Sequence, residues 1–187
     1  MPKRNIFSPV FFLLPVLGLT LALGACNKEE RQNQLISQEA AIDNFVASIQ
    51  KKDTVYYHYG VVRAVLQRDT TLSASKDTLA KGDSASFFYA GYIFKNGKGS
   101  LFHTNSDSVA KANNWPLSEE EAKAVGFICG DGSLIKGLDY GMICMQEGEY
   151  AYVIFNSDYG FGNTVVGNVP KMTALLYEVW MEQIVKK

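Results

Sequence analysis

The sequence predicts an α+β fold: a curved antiparallel β-sheet wrapped around one short helix, preceded by a helix-and-strand extension. Three features point there. Strand-like segments outnumber helical ones in the second half of the chain. The strongest of them, SASFFYAGYIF at residues 84–94, is apolar on both faces, so both sides of its sheet need cover. The helical pattern lying between strands, SLIKGLDYGM at residues 133–142, contains Gly137 and Gly141. Each glycine costs a helix interior ~1 kcal/mol relative to alanine, so packing rather than propensity must hold this one.

In chain order, Lys3 and Arg4 precede an apolar run over residues 6–22, and LGAC follows, ending at Cys26. A basic start, an apolar middle and small residues before a break make a secretory signal. Pro9 and Pro15 interrupt the run, which falls short of the ~20 apolar residues a spanning helix needs. The ending resembles a bacterial lipobox. That resemblance implies a signal peptide over residues 1–25, lipid on the sulfur of Cys26, and anchorage at the cell envelope, at the outer membrane, by more than one acyl chain. Residues 26–34 are polar and without periodicity, the pattern of a solvated tether.

Residues 35–80 form the extension. Ser37 is placed to cap a helix running to about residue 50, with Ile42, Phe45, Val46 and Ile49 on one face. Residues 53–67 read as one strand from their β-branched and aromatic content, and 68–83 as a loop ending in a Lys81-Gly82-Asp83 turn. The main domain spans residues 81–187. In its first strand Phe87, Tyr89 and Ile93 point one way and Phe88, Tyr92 and Phe94 the other. The helix of residues 38–50 is the candidate cover for the second face. Asn96-Gly97 centres a turn. Ser118 with Glu121 forms a capping box that predicts a short helix. Residues 149–155 and 174–184 alternate as strands, the latter with Leu175, Tyr177, Val179 and Met181 on one face.

Several chemistries are excluded. The formal net charge is −1 and no basic stripe exists, so nucleic acid is not an expected partner. His58 and His103 are far apart, and no Cys/His spacing makes a metal site. A nucleophile elbow and a Walker loop are missing, and GFGN and GDGS lack the third glycine of a dinucleotide fingerprint. No cofactor is implied. Cys129 and Cys144 fit either a disulfide or two buried thiols.

Four stretches carry a resemblance: GDSASFFYAGYIFKNGK, LFHTN, GDGSLIKGLDYGMICMQEGEYAYVIFNSDYGFG and VPKMTALLYEVWMEQI. In this order, over about residues 81–184, they resemble the FKBP-type peptidyl-prolyl isomerases. The resemblance implies an apolar cleft between sheet and helix that accepts proline-containing segments of exported proteins. Carried over residue by residue, it implies Tyr89 in the first long strand, Phe102 and His103 in the next, and Val125 and Phe127 before the helix. Leu134 and Ile135 supply the turn, whose backbone N–H groups bind a substrate carbonyl. Leu138 is the floor, Phe161 sits in the following loop, Val169 on the flap and Tyr177 on the last strand. His103 stands where the family has aspartate, Leu138 where it has tryptophan, and Phe161 where it has a hydrogen-bonding tyrosine. The function implied is prolyl isomerisation that assists folding at the envelope. The departures at His103 and Phe161 define the alternative, a lipoprotein that binds peptides or acts as a chaperone with weak or no turnover. The long segment after His103, with Trp115-Pro116, reads either as a flap over the cleft or as a surface insertion.

Overall fold

Strand β3 (Ser84–Phe94) organises the computed structural model, which describes residues 14–49, 55–68 and 77–187. The other elements are α1 (Leu14–Ile49), β1 (Val55–His58), β2 (Val61–Arg68), β4 (Lys98–Thr104), α2 (Asp107–Ala112), β5 (Val125–Ile128), α3 (Lys136–Gly141), β6 (Glu149–Phe155) and β7 (Leu175–Val185). All the strands join one antiparallel sheet in the order β1-β2-β6-β7-β3-β4. Strand β7 follows β3 along one edge, while β5 and β4 share the other, β5 against Ser84–Phe87 and β4 against Ala90–Phe94. Register shifts interrupt the ladders at Ser86/Phe87 and Gly91/Tyr92. Such bulges bend and twist a strand, which gives the sheet its curvature.

By packing, the chain forms two units, residues 1–36 and 37–187. In the first, residues 14–36 are helical, so the segment expected as an irregular tether is helix, with Lys28 through Gln34 exposed. Its Glu, Arg and Gln residues favour helix; their polarity kept them from a core without keeping them from helical backbone. Ser37 is consequently interior to α1 rather than its cap. Lys3, Arg4 and Pro9 of the expected signal lie outside the described residues, as do 50–54 and most of the loop before Lys81. Among the described residues, no helix is long and apolar enough to cross a membrane.

In the second unit the sheet is covered on both sides. One face buries Phe87, Ile93, Val153, Phe155, Leu175, Tyr177, Val179 and Met181 around Leu138 and Met142. The other buries Ala90, Tyr92, Phe94, Ile154 and Leu176 beneath Ile42 and Val46 of α1. The helix therefore covers the second face, as its apolar spacing predicted, and Phe45 meets Phe94 edge-on with ring centres 5.6 Å apart. Glu178 is buried on this face, accepting hydrogen bonds from the hydroxyls of Tyr92 (2.9 Å) and Tyr150 (2.7 Å) and from Lys98 Nζ (3.0 Å).

Two local expectations are corrected, and two alternatives left open are decided. The single strand expected over residues 53–67 is a hairpin, turning at Tyr59 (φ 52°) and Gly60 (φ 83°). Positive φ at both positions is the geometry of a two-residue turn matched to strand twist, and tyrosine in the first position hid it. The capping box at Ser118 forms, with Glu121 Oε2 accepting from Ser118 N (3.0 Å) and Ser118 Oγ (2.6 Å), yet no α-helix follows. Val125 is already needed opposite Phe87 in the sheet, so only one turn fits. Of the two readings of the segment after His103, the surface insertion fits: it forms α2 and packs Trp115 against the cluster of the second face. Both Cys129, buried, and Cys144, exposed, are free thiols; burial, reinforced by Asp139 and Asp83, pushes Cys129 up to about 11.

Candidate active site

The α3 helix is short and rich in glycine because nothing larger fits. A Cβ on Gly137 would stand 2.3 Å from Cδ1 of Phe155, and one on Gly141 would stand 2.2 Å from Cγ1 of Val153. Glycine thus lets the helix backbone lie directly on β6. Groups outside the helix then supply what its propensity lacks. Arg63 of β2, 3% exposed, donates through Nη1 to the carbonyls of Gly141 and Ile143 and through Nη2 to that of Cys144. The Gly141 carbonyl is one a helix leaves unpaired at its C-terminal end, and those of Ile143 and Cys144 belong to the turn that follows it. The same guanidinium is ion-paired with buried Glu149, Nε to Oε1 at 3.1 Å. At the other end, Asp139 Oδ1 accepts the N–H of Gly130 at 2.8 Å, tying the preceding loop to the helix.

Above this helix the expected cleft residues meet. Tyr89, Phe102, Phe127, Leu134, Ile135, Leu138, Phe161, Val169 and Tyr177 belong to one apolar cluster; Phe127, Leu138, Val169 and Tyr177 are buried and the rest half-buried. Tyr177 sits amid the aromatic rings, 5.9 Å from Tyr89 and 5.6 Å from Phe102, to which it is nearly perpendicular. Phe102 in turn meets Phe161 at 6.1 Å. Gly91 makes room for this: a Cβ there would lie 2.6 Å from Cζ of Phe102. His103 is exposed at the margin, stacked on Tyr89 at 5.7 Å, its Nδ1 hydrogen-bonded to the Tyr89 hydroxyl at 2.9 Å. Two hollows border the set, one of about 510 Å³ that shares Phe127 and one of about 620 Å³ that shares Leu134.

Val169, expected on the flap, turns inward. It is 1% exposed and closes a turn with Val166, the two exchanging backbone hydrogen bonds. The exposed apolar side chains of this flap are Val165 and Val166, which the sequence reading passed over. Their signal was the VVGN string itself, two valines just ahead of a Gly-Asn turn. Two further residues were missed. Phe155 stacks on Tyr177 at 5.9 Å and fills the space above Gly137. Asn105 receives the Tyr89 N–H at 2.6 Å and donates to the carbonyl of Lys123 at 2.8 Å, bridging the gap on β3 between β4 and β5. The flap's base is anchored by α1: Gln38 Oε1 accepts from Ser157 N and its Nε2 donates to Met172 O.

The electrostatics are those of a dry site. Burial raises the Tyr177 hydroxyl above its usual value, with Tyr89 adding to the shift, and burial alone raises Tyr89. Both therefore remain neutral hydroxyls at neutral pH. No group of three or more His, Cys, Asp or Glu among the described residues is placed to hold a metal. What remains is an aromatic surface with two neutral hydroxyls and an adjacent helical turn.

Comparison with known proteins agrees with this geometry. The sequence model described as FKBP-type peptidyl-prolyl cis-trans isomerase matches residues 75–182. The FK506-binding protein 1 of Aspergillus oryzae is 29% identical over 127 residues, spanning 67% of this chain and 98% of that protein. A short-type peptidyl-prolyl cis-trans isomerase of Methanocaldococcus jannaschii is 33% identical over 76 residues, which are 39% of this chain and 48% of the relative. Among solved structures, a peptidyl-prolyl cis-trans isomerase of Pseudomonas syringae pv. tomato superposes with a TM-score of 0.55 at 16% identity, covering 83% of this chain and 96% of that one.

Proposed function

The chain belongs to the FKBP-type peptidyl-prolyl cis-trans isomerase family, and on that premise we propose that it catalyses rotation about X–Pro amides in exported polypeptides at the cell envelope. The observation that carries the reading is the contacting set of rings Tyr89, Phe102, Phe161 and Tyr177, packed in one apolar cluster with Leu134 and Ile135. An X–Pro amide is slow to rotate, on the order of tens to hundreds of seconds, because its C–N bond has partial double-bond character. An apolar cleft strips water from the amide and disfavours the charge-separated form that keeps it planar. Complementarity to the twisted amide then lowers the barrier without any covalent step. Leu138 supports the proline ring, and the backbone N–H groups of the Leu134–Ile135 turn receive a substrate carbonyl.

A second reading, a peptide-binding chaperone with little turnover, is favoured by Phe161, which offers no hydroxyl. A protease-coupled assay on an Ala-Pro peptide decides between them: faster cis-to-trans conversion is expected, and none at micromolar protein would leave only binding. Binding is best followed by calorimetry, since Trp115 and Trp180 both pack on the opposite face of the sheet. The envelope location rests on the lipobox-like LGAC string. Replacing Cys26 by alanine should release the protein from the membrane fraction; unchanged partitioning would overturn the anchor.

A further inference from the structure

The flap of the cleft is fastened by a residue far from it in sequence. Residues 157–172 connect β6 to β7 and carry Phe161, whose ring meets Phe102 at 6.1 Å, and the exposed Val165 and Val166. The stems of this segment meet: Gly162 N donates to Ser157 O at 2.9 Å, and Met172 N to Gly162 O at 2.7 Å. Gln38 of α1 spans both stems. Its Oε1 accepts the N–H of Ser157 at 2.9 Å, and its Nε2 donates to the carbonyl of Met172 at 2.8 Å. One partner is a donor and the other an acceptor, so the pair fixes which way the amide faces. Beside it Glu39 Oε1 accepts from Asn156 Nδ2 at 2.8 Å, and Asn156 Oδ1 accepts the N–H of Asp158 at 3.0 Å. Ser157 is fully buried, and Met172 holds a φ of 54°, a region that side-chain-bearing residues occupy only where their surroundings impose it. Gln38 lies four residues before Ile42 and eight before Val46, both 3% exposed in the core of the second face. Residues at that spacing share one face of a helix, so the packing of α1 sets where the amide sits. Gln38 also precedes residues 75–182, the part that the family model matches.

Resting on the isomerase reading, we propose that Gln38 is a positioning residue of the cleft: it ties both stems of the flap to α1 and thereby sets how tightly a proline peptide is held. Without the bridge, the flap opens more often and a peptide must order it on binding. Apparent affinity falls in proportion to the fraction of molecules whose flap is already in place. The flap holds the peptide alike before and during rotation of the amide, so the effect falls on binding and not on the chemical step. The helical extension is then a working part of the isomerase.

The test uses the full chain carrying Gln38→Met, which keeps the length and helix preference of the side chain and removes both bonds. Two hydrogen bonds are lost, so amide hydrogen exchange at Gly162, Val166, Val169 and Met172 should quicken about tenfold. The amides of β7 should keep their protection. Calorimetry with an Ala-Pro peptide should show about fivefold weaker binding, and KM should rise by the same factor with kcat within about twofold. Gln38→Glu retains an acceptor for buried Ser157 and releases only the Met172 stem, so it reads the same effect should Gln38→Met fold poorly. Asn44→Ala, on an exposed position of the same helix, should change none of these quantities. Flap exchange that is unchanged, or that quickens only in step with β7, overturns the proposal, as does an unaltered peptide affinity or a loss confined to kcat. Exchange and binding are read without turnover, so an unmodified protein that binds the peptide but does not isomerise it removes the isomerase reading alone.

Discussion

Ile135→Asp should lower kcat/KM on a proline peptide by about 100-fold, equivalent to ~2.7 kcal/mol of transition-state stabilisation, while the protein stays folded. Ile135 is the N-cap of α3, with extended backbone angles of −61° and 144°. Aspartate is among the best residues at such a position, contributing on the order of 1 kcal/mol through the unpaired N–H groups of the first turn. That contribution offsets the packing lost from a half-buried isoleucine. Function has no such offset, because an ionised carboxylate at the mouth of an apolar cleft retains water and opposes the dry environment in which the amide rotates. Urea midpoint and near-UV dichroism report the fold, and the protease-coupled assay reports turnover. Activity within about threefold of the parent, ~0.7 kcal/mol, would move the site away from this turn.

Gly137→Ala should destabilise the domain by about 2–3 kcal/mol, the upper range for forcing extra volume into a packed core. Propensity alone argues the opposite, since alanine is favoured over glycine in a helix by ~1 kcal/mol. Space decides. The added methyl would stand 2.3–2.4 Å from three atoms of the Phe155 ring. Phe155 is fully buried and stacked on Tyr177, so it has nowhere to turn. The helix must lift from β6 instead, loosening the contacts of Arg63 with its C-terminal carbonyls. A fall in urea midpoint at constant denaturant slope is the expected signature. A neutral or stabilised variant would show that close contact is not why the glycine is there. The Gly141 position makes the same claim against Val153.

Much of the fold was legible because it follows from patterns local to the chain. The apolar alternation of β3 and β7 required a sheet with two covered faces, and the spacing of Ile42, Phe45 and Val46 supplied one cover. Period-two and period-3.6 signals need no partner to be read. The misreadings fell where an outside constraint overrode a local preference. Residues 53–67 looked uniformly strand-like because the turn at Tyr59-Gly60 carries an aromatic ring into the hollow beside α3. The capping box at Ser118 was sound chemistry with no room for a helix behind it.

Sequence by itself determined which residues are apolar, in what order, and that the helix of the cleft is intrinsically weak. Only the tertiary structure decided that Arg63 and Glu149, distant in sequence, hold that helix from outside, that Val169 turns inward while Val165 and Val166 face solvent, and that Leu134 lines the hollow beside α3. Those facts depend on distances between segments far apart along the chain, and periodicity, which records only the face a residue takes on its own element, carries no information about them.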